Sequence, residues 1–232
     1  MAVDEFLLEW CGRTGACCWR FYGWSEPTLS LGYFQTYSDR WQHAASRHVP
    51  VVRRASGGGA ILHDDELTYS LAVPLEHPLG RRRLELYRAV HATLIEVLAD
   101  RGIRADLWQD APTGRQPQPF LCFQRRSSGD VVFGTAKVAG SAQRRSAAAV
   151  LQHGSILLRR SPAAPELDGL SDLTGETLAA SSLATAWLPR LAGRLELDWH
   201  EFPLETDELQ WVDLLVAGKY GSDRWNCYRG RE

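Results

Sequence analysis

Lysine is scarce in this sequence of 232 residues: Lys137 and Lys219 are the only two, and every other basic side chain except histidine is arginine. A basic excess is also lacking, because the formal net charge is −2. This balance argues against a general nucleic-acid or anionic-membrane binder. No apolar run approaches the length of a membrane span, and the acidic first ten residues lack the order of a signal peptide. We therefore expect a cytoplasmic protein that binds neither nucleic acid nor membrane.

Paired cysteines are lacking as well. The five cysteines are odd in number and show no CxxC spacing, so we expect buried thiols and no metal site. The apolar share of 44% is typical of a globular protein. We found no repeat and no shift in composition that would divide the chain. The sequence predicts one domain over residues 1–232, with no accessory domain.

The hydrophobic pattern predicts an α+β fold. Strands are expected at residues 17–24, 28–35, 51–52, 60–63, 68–73, 131–133, 136–143 and 149–158. Helices are expected at residues 2–11, 39–47, 84–101, 177–191 and 205–220, and a surface loop at 113–119. Ser38 is the expected N-cap of the second helix. The helix at 84–101 has an apolar stripe made of Leu84, Tyr87, Val90, Leu94, Val97 and Leu98. Consecutive strands favour a mixed or antiparallel sheet over a doubly wound parallel one.

A glycine-rich segment is the first candidate site. Arg53 and Arg54 precede Gly57, Gly58 and Gly59 between two predicted strands. Without a Cβ, such a turn lets a ligand approach the backbone closely, and its N–H groups can bind carbonyl or phosphate oxygens. It is not a Walker loop, since no Gly-Lys-Ser/Thr follows. A glycine-rich hairpin with solvated arginines is an equally good interpretation of this segment alone.

Lys137 lies among small residues on a predicted strand. A lysine in that setting can reach into a cleft and stabilise a developing oxyanion, although a solvated strand lysine is the more common case. Cys122 has apolar neighbours, Leu121 and Phe123, which are typical of a core position. Nearby cations would instead lower the pKa of its thiol and make it a nucleophile. His153 could be a base, but a histidine bonded between strands is commoner.

Together these segments resemble the lipoate-protein ligase, octanoyltransferase and biotin-protein ligase superfamily. The similarity covers about residues 2–158 and rests on four segments in the family's order. They are Ala2-Val3-Asp4-Glu5, Glu26-Pro27-Thr28 with Leu31 to Gln35, Arg53 to Asp64, and Lys137 to Arg144 followed by His153-Gly154-Ser155.

The resemblance implies a single α+β domain whose curved, mixed and largely antiparallel sheet holds an acyl chain. It implies that Arg54 and the glycine backbone face the activated acyl group. Lys137 would contact the carbonyl or phosphate oxygen and orient the incoming carrier lysine. His63 and Gln143 would line or brace the pocket. The remaining motif positions expected to bind acyl group or substrate are Arg53, Ser56, Gly57, Gly58, Gly59, Gly140 and His153.

Two activities within the superfamily remain open at this point. An octanoyltransferase takes octanoate from acyl-carrier protein through a cysteine thioester, here on Cys122, and needs no cofactor. A lipoate-protein ligase uses ATP and magnesium. Cys122 and the segment from His63 resemble a transferase class, whereas Gly59 fits the ligase pattern. In both cases the acceptor is a lysine of a lipoyl domain or of the glycine-cleavage H protein. A non-catalytic acyl- or carrier-binding module is a third hypothesis, because fold alone does not prove chemistry.

Overall fold

The computed structural model describes residues 1–109 and 119–230. The helices are α1 Ala2–Thr14, α2 Arg83–Ala99, α3 Leu170–Thr174, α4 Ala180–Arg194, α5 Thr206–Leu215 and α6 Asp223–Asn226. The strands are β1 Cys18–Tyr22, β2 Thr28–Leu31, β3 Val51–Arg53, β4 Ile61–His63, β5 Glu66–Pro74, β6 Asp106–Leu107, β7 Val131–Phe133, β8 Ala136–Arg145 and β9 Ala149–Leu157. Of the loop predicted at 113–119, all but the last residue lies outside the described part. No helix in these two stretches has the length and apolar character needed to cross a bilayer.

The strands form two sheets. The larger has the order β1-β5-β9-β8-β7-β6, and every neighbouring pair is antiparallel. The smaller has the order β3-β2-β4, in which β2 is parallel to β3 and antiparallel to β4. This arrangement confirms the predicted α+β fold with a mixed, largely antiparallel sheet.

Helices cover both faces of the large sheet, so all nine residues of β5, which lies between β1 and β9, are buried. On one face, Leu71 and Val73 pack in the cluster that holds Trp187 of α4 and the apolar side of α2. On the other face, Ala72 packs in the cluster of Phe6 from α1. The alternation of a strand divides these side chains between two cores, which explains why β5 is apolar at so many positions.

The helix predicted at 84–101 is present, but the stripe was misjudged at its first position. Leu84 is 52% exposed, whereas Leu86 is fully buried. Leu86, Val90 and Leu94 follow one another at four-residue spacing and lie on the buried face of α2. Leu84 is two residues before Leu86 and therefore points to the opposite side of the helix.

The region before the glycine segment differs most from the prediction. The strand expected to reach residue 35 ends at Leu31, because Gly32 and Gln35 form a turn closed by two hydrogen bonds. The expected helix at 39–47 is a short 3-10 helix, Tyr37–Gln42, which begins after Thr36 rather than Ser38. Strands β3 and β4 both pair with β2 and not with each other. The glycines therefore form a crossing connection and not a hairpin.

Strand β8 contains a β-bulge. Val131 pairs with Ala139, but Val132 pairs with Lys137, so β8 has one more residue than β7 at this point. In a regular strand, residues three apart lie on opposite faces, and a bulge removes that restriction. Lys137 and Gly140 consequently lie on the same side of the sheet, where both line one cleft.

Candidate active site

A cleft lies between the central strands of the large sheet and the glycine segment. Its empty volume is about 660 Å³, including its open mouth. It brings together eight of the predicted site residues, namely Arg54, Gly57, Gly58, His63, Cys122, Lys137, Gly140 and His153. These residues come from segments far apart in the chain, so the fold assembles one site from the separate motifs.

Cys122 is fixed at the cleft by its own backbone. Its N–H donates to the carbonyl of Ala60 at 2.7 Å, and the N–H of Ala60 donates to the carbonyl of Phe120 at 3.0 Å. Gly59 precedes this contact, and a Cβ there would lie 3.3 Å from both the N and Cα atoms of Cys122. That is tighter than most real Cβ contacts. Gly59 therefore lets the chain of Cys122 lie against β4.

The thiol of Cys122 lies beside positive charge. The Nζ atom of Lys137 is 3.8 Å from its Sγ atom. Burial alone would raise the pKa of the thiol, but Lys137, Arg125 and Arg54 together lower that pKa below its ordinary value. A depressed thiol pKa makes more of the nucleophilic thiolate at neutral pH. The interpretation of Cys122 as an inert core residue does not fit these surroundings.

Lys137 is held by a carboxylate that the sequence analysis missed. Its Nζ atom lies 2.8 Å from Oδ2 of Asp130, and both side chains are buried. Asp130 also accepts hydrogen bonds from the hydroxyl of Tyr87 at 2.6 Å and the N–H of Ser127 at 2.7 Å. Burial and the nearby Asp130 raise the pKa of Tyr87, so its phenol remains a donor. This network fixes the position of the Lys137 ammonium in the cleft.

Gly140 provides the space that Lys137 needs. A Cβ at position 140 would lie 2.5 Å from Cε and 2.8 Å from Nζ of Lys137. Because Asp130 holds the Lys137 ammonium in place, a larger residue at position 140 would have to displace that ammonium. The glycine at position 140 is thus a steric requirement of the cleft.

The buried side chain of Arg54 links the glycine segment to β2 through hydrogen bonds. Its Nη1 donates to the carbonyl of Ser30 at 2.7 Å, and its Nη2 donates to the carbonyl of Gly59 at 2.8 Å. Burial lowers the pKa of Arg54 to about 10, which leaves it charged at neutral pH. Gly58 has φ = +101°, a conformation that suits glycine, whereas Gly57 is not at positive φ. Of these two glycines, only Gly58 has a conformational requirement.

Comparison with known proteins identifies the family. A family model described as the lipoyl protein ligase A/B catalytic domain matches residues 1–168. This chain belongs to that family. An octanoyltransferase LipM from Geobacillus kaustophilus is 33% identical over 99% of this chain and 93% of that relative. One from Bacillus subtilis is 30% identical over the same shares. The resemblance noted in the sequence is confirmed.

Solved structures support the same fold. A lipoate-protein ligase A bound with ATP superposes with a TM-score of 0.78 at 19% identity, covering 97% of this chain and 92% of that chain. A bipartite lipoate protein ligase from Thermoplasma acidophilum, described with its E2 lipoyl domain, gives 0.77 at 17% identity, covering 100% and 91%. At such low identity, these likenesses show the fold alone.

Arg53, unlike Arg54, does not line the cleft that contains Cys122. It is fully buried, and its guanidinium donates to backbone carbonyls. The acceptors are the carbonyl groups of Gly32, Tyr33, Gln35, Trp225 and Asn226. The structure therefore places Arg53 as a link between β3, the turn after β2 and the C-terminal segment. Successive residues at a strand end point in opposite directions, which explains the different positions of the two arginines.

Gln143 also lies outside the cleft and acts at a distance. Its Nε2 donates to Oε1 of Gln152 at 2.8 Å, and Gln152 donates to the hydroxyl of Tyr69 at 2.8 Å. The Tyr69 hydroxyl is 2.6 Å from Oγ of Ser141, which lines the cleft. This chain of bonds fits the bracing role that the family resemblance implied.

The two cleft histidines each lie between a serine and a carboxylate. His63 is 2.6 Å from Oγ of Ser30 and 2.6 Å from Oε1 of Glu66. His153 is 2.6 Å from the hydroxyl of Ser56, and its Nδ1 is 3.1 Å from Oδ2 of Asp4. Each carboxylate fixes the orientation and tautomer of its imidazole. Ser56 itself lines a second, adjacent cavity and not this cleft.

Sequence reasoning missed Asp130, the carboxylate that pairs with Lys137. Asp130 comes directly after Gly129 in what looks like a turn, so only its place just before a strand could have drawn attention to it. Residues 1–109 and 119–230 contain no group of three or more His, Cys, Asp or Glu side chains that could hold a metal ion.

Proposed function

We propose that this protein is an octanoyltransferase that moves an octanoyl or lipoyl group from acyl-carrier protein, through a thioester on Cys122, to a lysine of a lipoyl-carrier domain. The observation that carries the proposal is the Cys122 thiol, which faces the cleft 3.8 Å from the Lys137 ammonium and has a lowered pKa. The curated relatives named octanoyltransferase, at 30% and 33% identity across almost the whole chain, support it.

The first step is an exchange of thioesters. The Cys122 thiolate attacks the carbonyl carbon of the donor thioester, and the new C–S bond forms as the bond to the carrier sulfur breaks. The Lys137 ammonium stabilises the negative charge that develops on the carbonyl oxygen, and the leaving sulfur takes up a proton. The donor is already activated, so this step uses neither nucleotide nor other cofactor.

The cleft offers a place for the acyl group beside the reacting sulfur. Apolar side chains line it next to Cys122, including those of Ile61, Phe123 and Ala142. Polar side chains that line it include those of Lys137, Asp130 and Ser141. An acyl chain would contact the apolar lining while its carbonyl faces the Lys137 ammonium. In ligand pockets, apolar side chains commonly provide most of the contact and a few polar groups fix the orientation.

The second step delivers the acyl group to a carrier lysine. A solved relative in fold is described with an E2 lipoyl domain, which supports an acceptor of this class. Attack by the lysine amine would form the amide and break the bond to the Cys122 sulfur, which takes up the proton that the nitrogen loses. Lipoyl domains of dehydrogenases and the glycine-cleavage H protein are the proposed acceptors.

The test mixes the enzyme with octanoyl-acyl-carrier protein in the absence of nucleotide. We expect intact-mass analysis to show one octanoyl adduct on Cys122, which hydroxylamine removes. The adduct should be absent from Cys122→Ala, while Cys227→Ala, a change at a cysteine outside the cleft, should behave as wild type. An enzyme that acylates the carrier only with ATP, magnesium and free octanoate would be a ligase, and the proposal would be wrong.

A further inference from the structure

A second cavity adjoins the cleft that contains Cys122. Its empty volume is about 920 Å³, including its mouth, and it lies between α1, the β8–β9 pair and the π-helical turn Val216–Tyr220. His153 lines both cavities. Ser56 lines the second cavity, and the next residue, Gly57, lines the first. The two spaces therefore meet beside His153 and Met1, with Ser56 on the side of the second cavity.

The junction carries a directed chain of hydrogen bonds. Asp4 accepts hydrogen bonds from Arg20 at 2.9 Å and Ser70 at 2.6 Å, which hold its carboxylate in place. The carboxylate lies 3.1 Å from Nδ1 of His153, so Nδ1 carries the hydrogen. The lone pair of Nε2 then accepts the Ser56 hydroxyl hydrogen at 2.6 Å. The oxygen of Ser56 is left with lone pairs that can accept a proton at the second cavity.

The proposed second step needs such a group. A lysine on a carrier protein is an ammonium at neutral pH, since its ordinary pKa is about 10.4, and only the free amine can attack a thioester. Lys137 does not suit this task, because its Nζ atom is paired with the buried Asp130 carboxylate at 2.8 Å and is already proposed to bind the carbonyl oxygen. The base has to be another group that reaches both the acyl carbonyl and the path of the lysine.

We propose that the carrier lysine reaches the acyl group through the second cavity, and that Ser56 and His153, oriented by Asp4, remove the proton from its ammonium. This inference rests on the proposed transferase function and concerns its second step. Met1 and His153 line both cavities, and the hydroxyl of Ser56, which lines the second cavity, is bonded to His153.

In this step the carrier lysine loses its proton to the serine and histidine at the junction. The ammonium of the carrier lysine gives a proton to the Ser56 oxygen while the Ser56 hydrogen moves to Nε2 of His153. The carboxylate of Asp4 balances the positive charge of the resulting imidazolium. The free amine attacks the thioester carbonyl, the C–N bond forms and the bond to the Cys122 sulfur breaks. The second proton on nitrogen goes to the departing sulfur, and the proton on His153 returns to solvent.

The other serine–histidine–carboxylate chain does not compete for this role. Its serine, Ser30, is completely buried and lines neither cavity. The hydroxyl of Ser30 accepts a hydrogen bond from Arg54 at 2.6 Å and is next to His63 at 2.6 Å. Because the Ser30 hydroxyl is bonded to Arg54 and His63, it has no free position for a substrate proton. We therefore assign the Ser30–His63–Glu66 chain a structural role.

The test isolates the second step by starting from purified octanoyl-enzyme. Its thioester is challenged either with a lipoyl domain or with hydroxylamine, which is largely unprotonated at neutral pH and needs no base. We expect Ser56→Ala to slow transfer to the lipoyl domain by about 10²-fold or more, which is the usual contribution of a general base, and to slow hydroxylamine cleavage far less. Raising the pH towards the pKa of lysine should recover much of the lost rate.

Ser46→Ala is the matched control. Ser46 is a fully buried serine whose hydroxyl also lies beside a histidine, 2.8 Å from Nδ1 of His43, but it lines neither cavity. We expect its ratio of lysine to hydroxylamine rates to stay near that of wild type. If Ser56→Ala slowed both nucleophiles equally, or neither, the proton-transfer role would be wrong.

Wild-type enzyme gives an independent measurement. Between neutral pH and the pKa of lysine, transfer to the lipoyl domain should depend on pH less steeply than the amount of free amine does. The charged groups facing His153 that would shape the profile are Asp4, Arg54 and the amino terminus. A rate strictly proportional to free amine would overturn the inference. Failure to form the octanoyl-enzyme at all would instead refute the proposed function.

Discussion

Two buried cations face Cys122, and the protein holds them in different ways. Lys137 is paired with the carboxylate of Asp130. Arg54 is bonded to the Ser30 hydroxyl and to backbone carbonyls, which carry no charge. Both lower the pKa of the thiol. The difference shows that Lys137 is positioned by a charge that can be removed, whereas Arg54 is positioned by the folded backbone itself.

Removing the charge that holds Lys137 should have the largest effect. We expect Asp130→Asn to lower the free energy of unfolding by about 3–5 kcal/mol, because it leaves a buried cation unpaired. Urea titration would measure the change. In the double variant Asp130→Asn/Lys137→Met no charge remains, so most of the lost stability should return. An additive loss in the double variant would contradict a coupled pair.

Removing the cation itself should mainly affect the reaction. We expect Lys137→Ala to reduce octanoyl transfer by about 10²–10³-fold, which corresponds to one electrostatic contact in the transition state. The pKa of the Cys122 thiol should rise, because the cation that favours the thiolate is lost. The pH profile of iodoacetamide alkylation would then move to higher pH. Full activity in this variant would refute the role of Lys137.

Changing the shape of the second cation should be milder. Arg54→Lys keeps the charge but cannot reproduce the forked contacts with Ser30 and Gly59. We expect a stability loss of about 1–3 kcal/mol from carbonyls left without donors, together with weaker acyl binding. Thermal unfolding and KM would measure the two effects. An unchanged melting temperature would show that the carbonyl contacts do not support the glycine segment.

The glycines around Arg54 should show the smallest and most selective effects. Gly58→Ala introduces a Cβ at φ = +101° and should cost about 1–3 kcal/mol through backbone strain. Gly57→Ala should cost clearly less, because Gly57 is not at positive φ and a Cβ there would lie 3.6 Å from Phe34, an ordinary contact. Paired melting curves would compare them, and equal losses would contradict the assignment of strain to Gly58 alone.

The sequence contained enough information for the general fold and for singling out Cys122 and Lys137, which the structure brings together in one cleft. Lys137 drew attention because lysine is scarce, and Cys122 because arginines follow it. The partner of Lys137 could not be predicted, since Asp130 reaches it only through the pairing of β7 with β8. Leu84 was misplaced because a short apolar pattern leaves the rotation of a helix poorly defined. The separation of Arg53 from Arg54 depended on where β3 ends, a boundary that sequence patterns define least well.

Because of the bulge in β8, the site depends on the number of residues between Lys137 and Gly140. Lys137 and Gly140 share a face only because one extra residue lies between them relative to β7. Deleting Val138 would restore regular pairing and turn Lys137 away from Gly140, even though every named site residue would still be present. A substitution can weaken this cleft gradually, but the loss of one residue from the strand would move the Lys137 side chain to the other face of the sheet. Within this strand the spacing of the residues is therefore as much a part of the site as their identity.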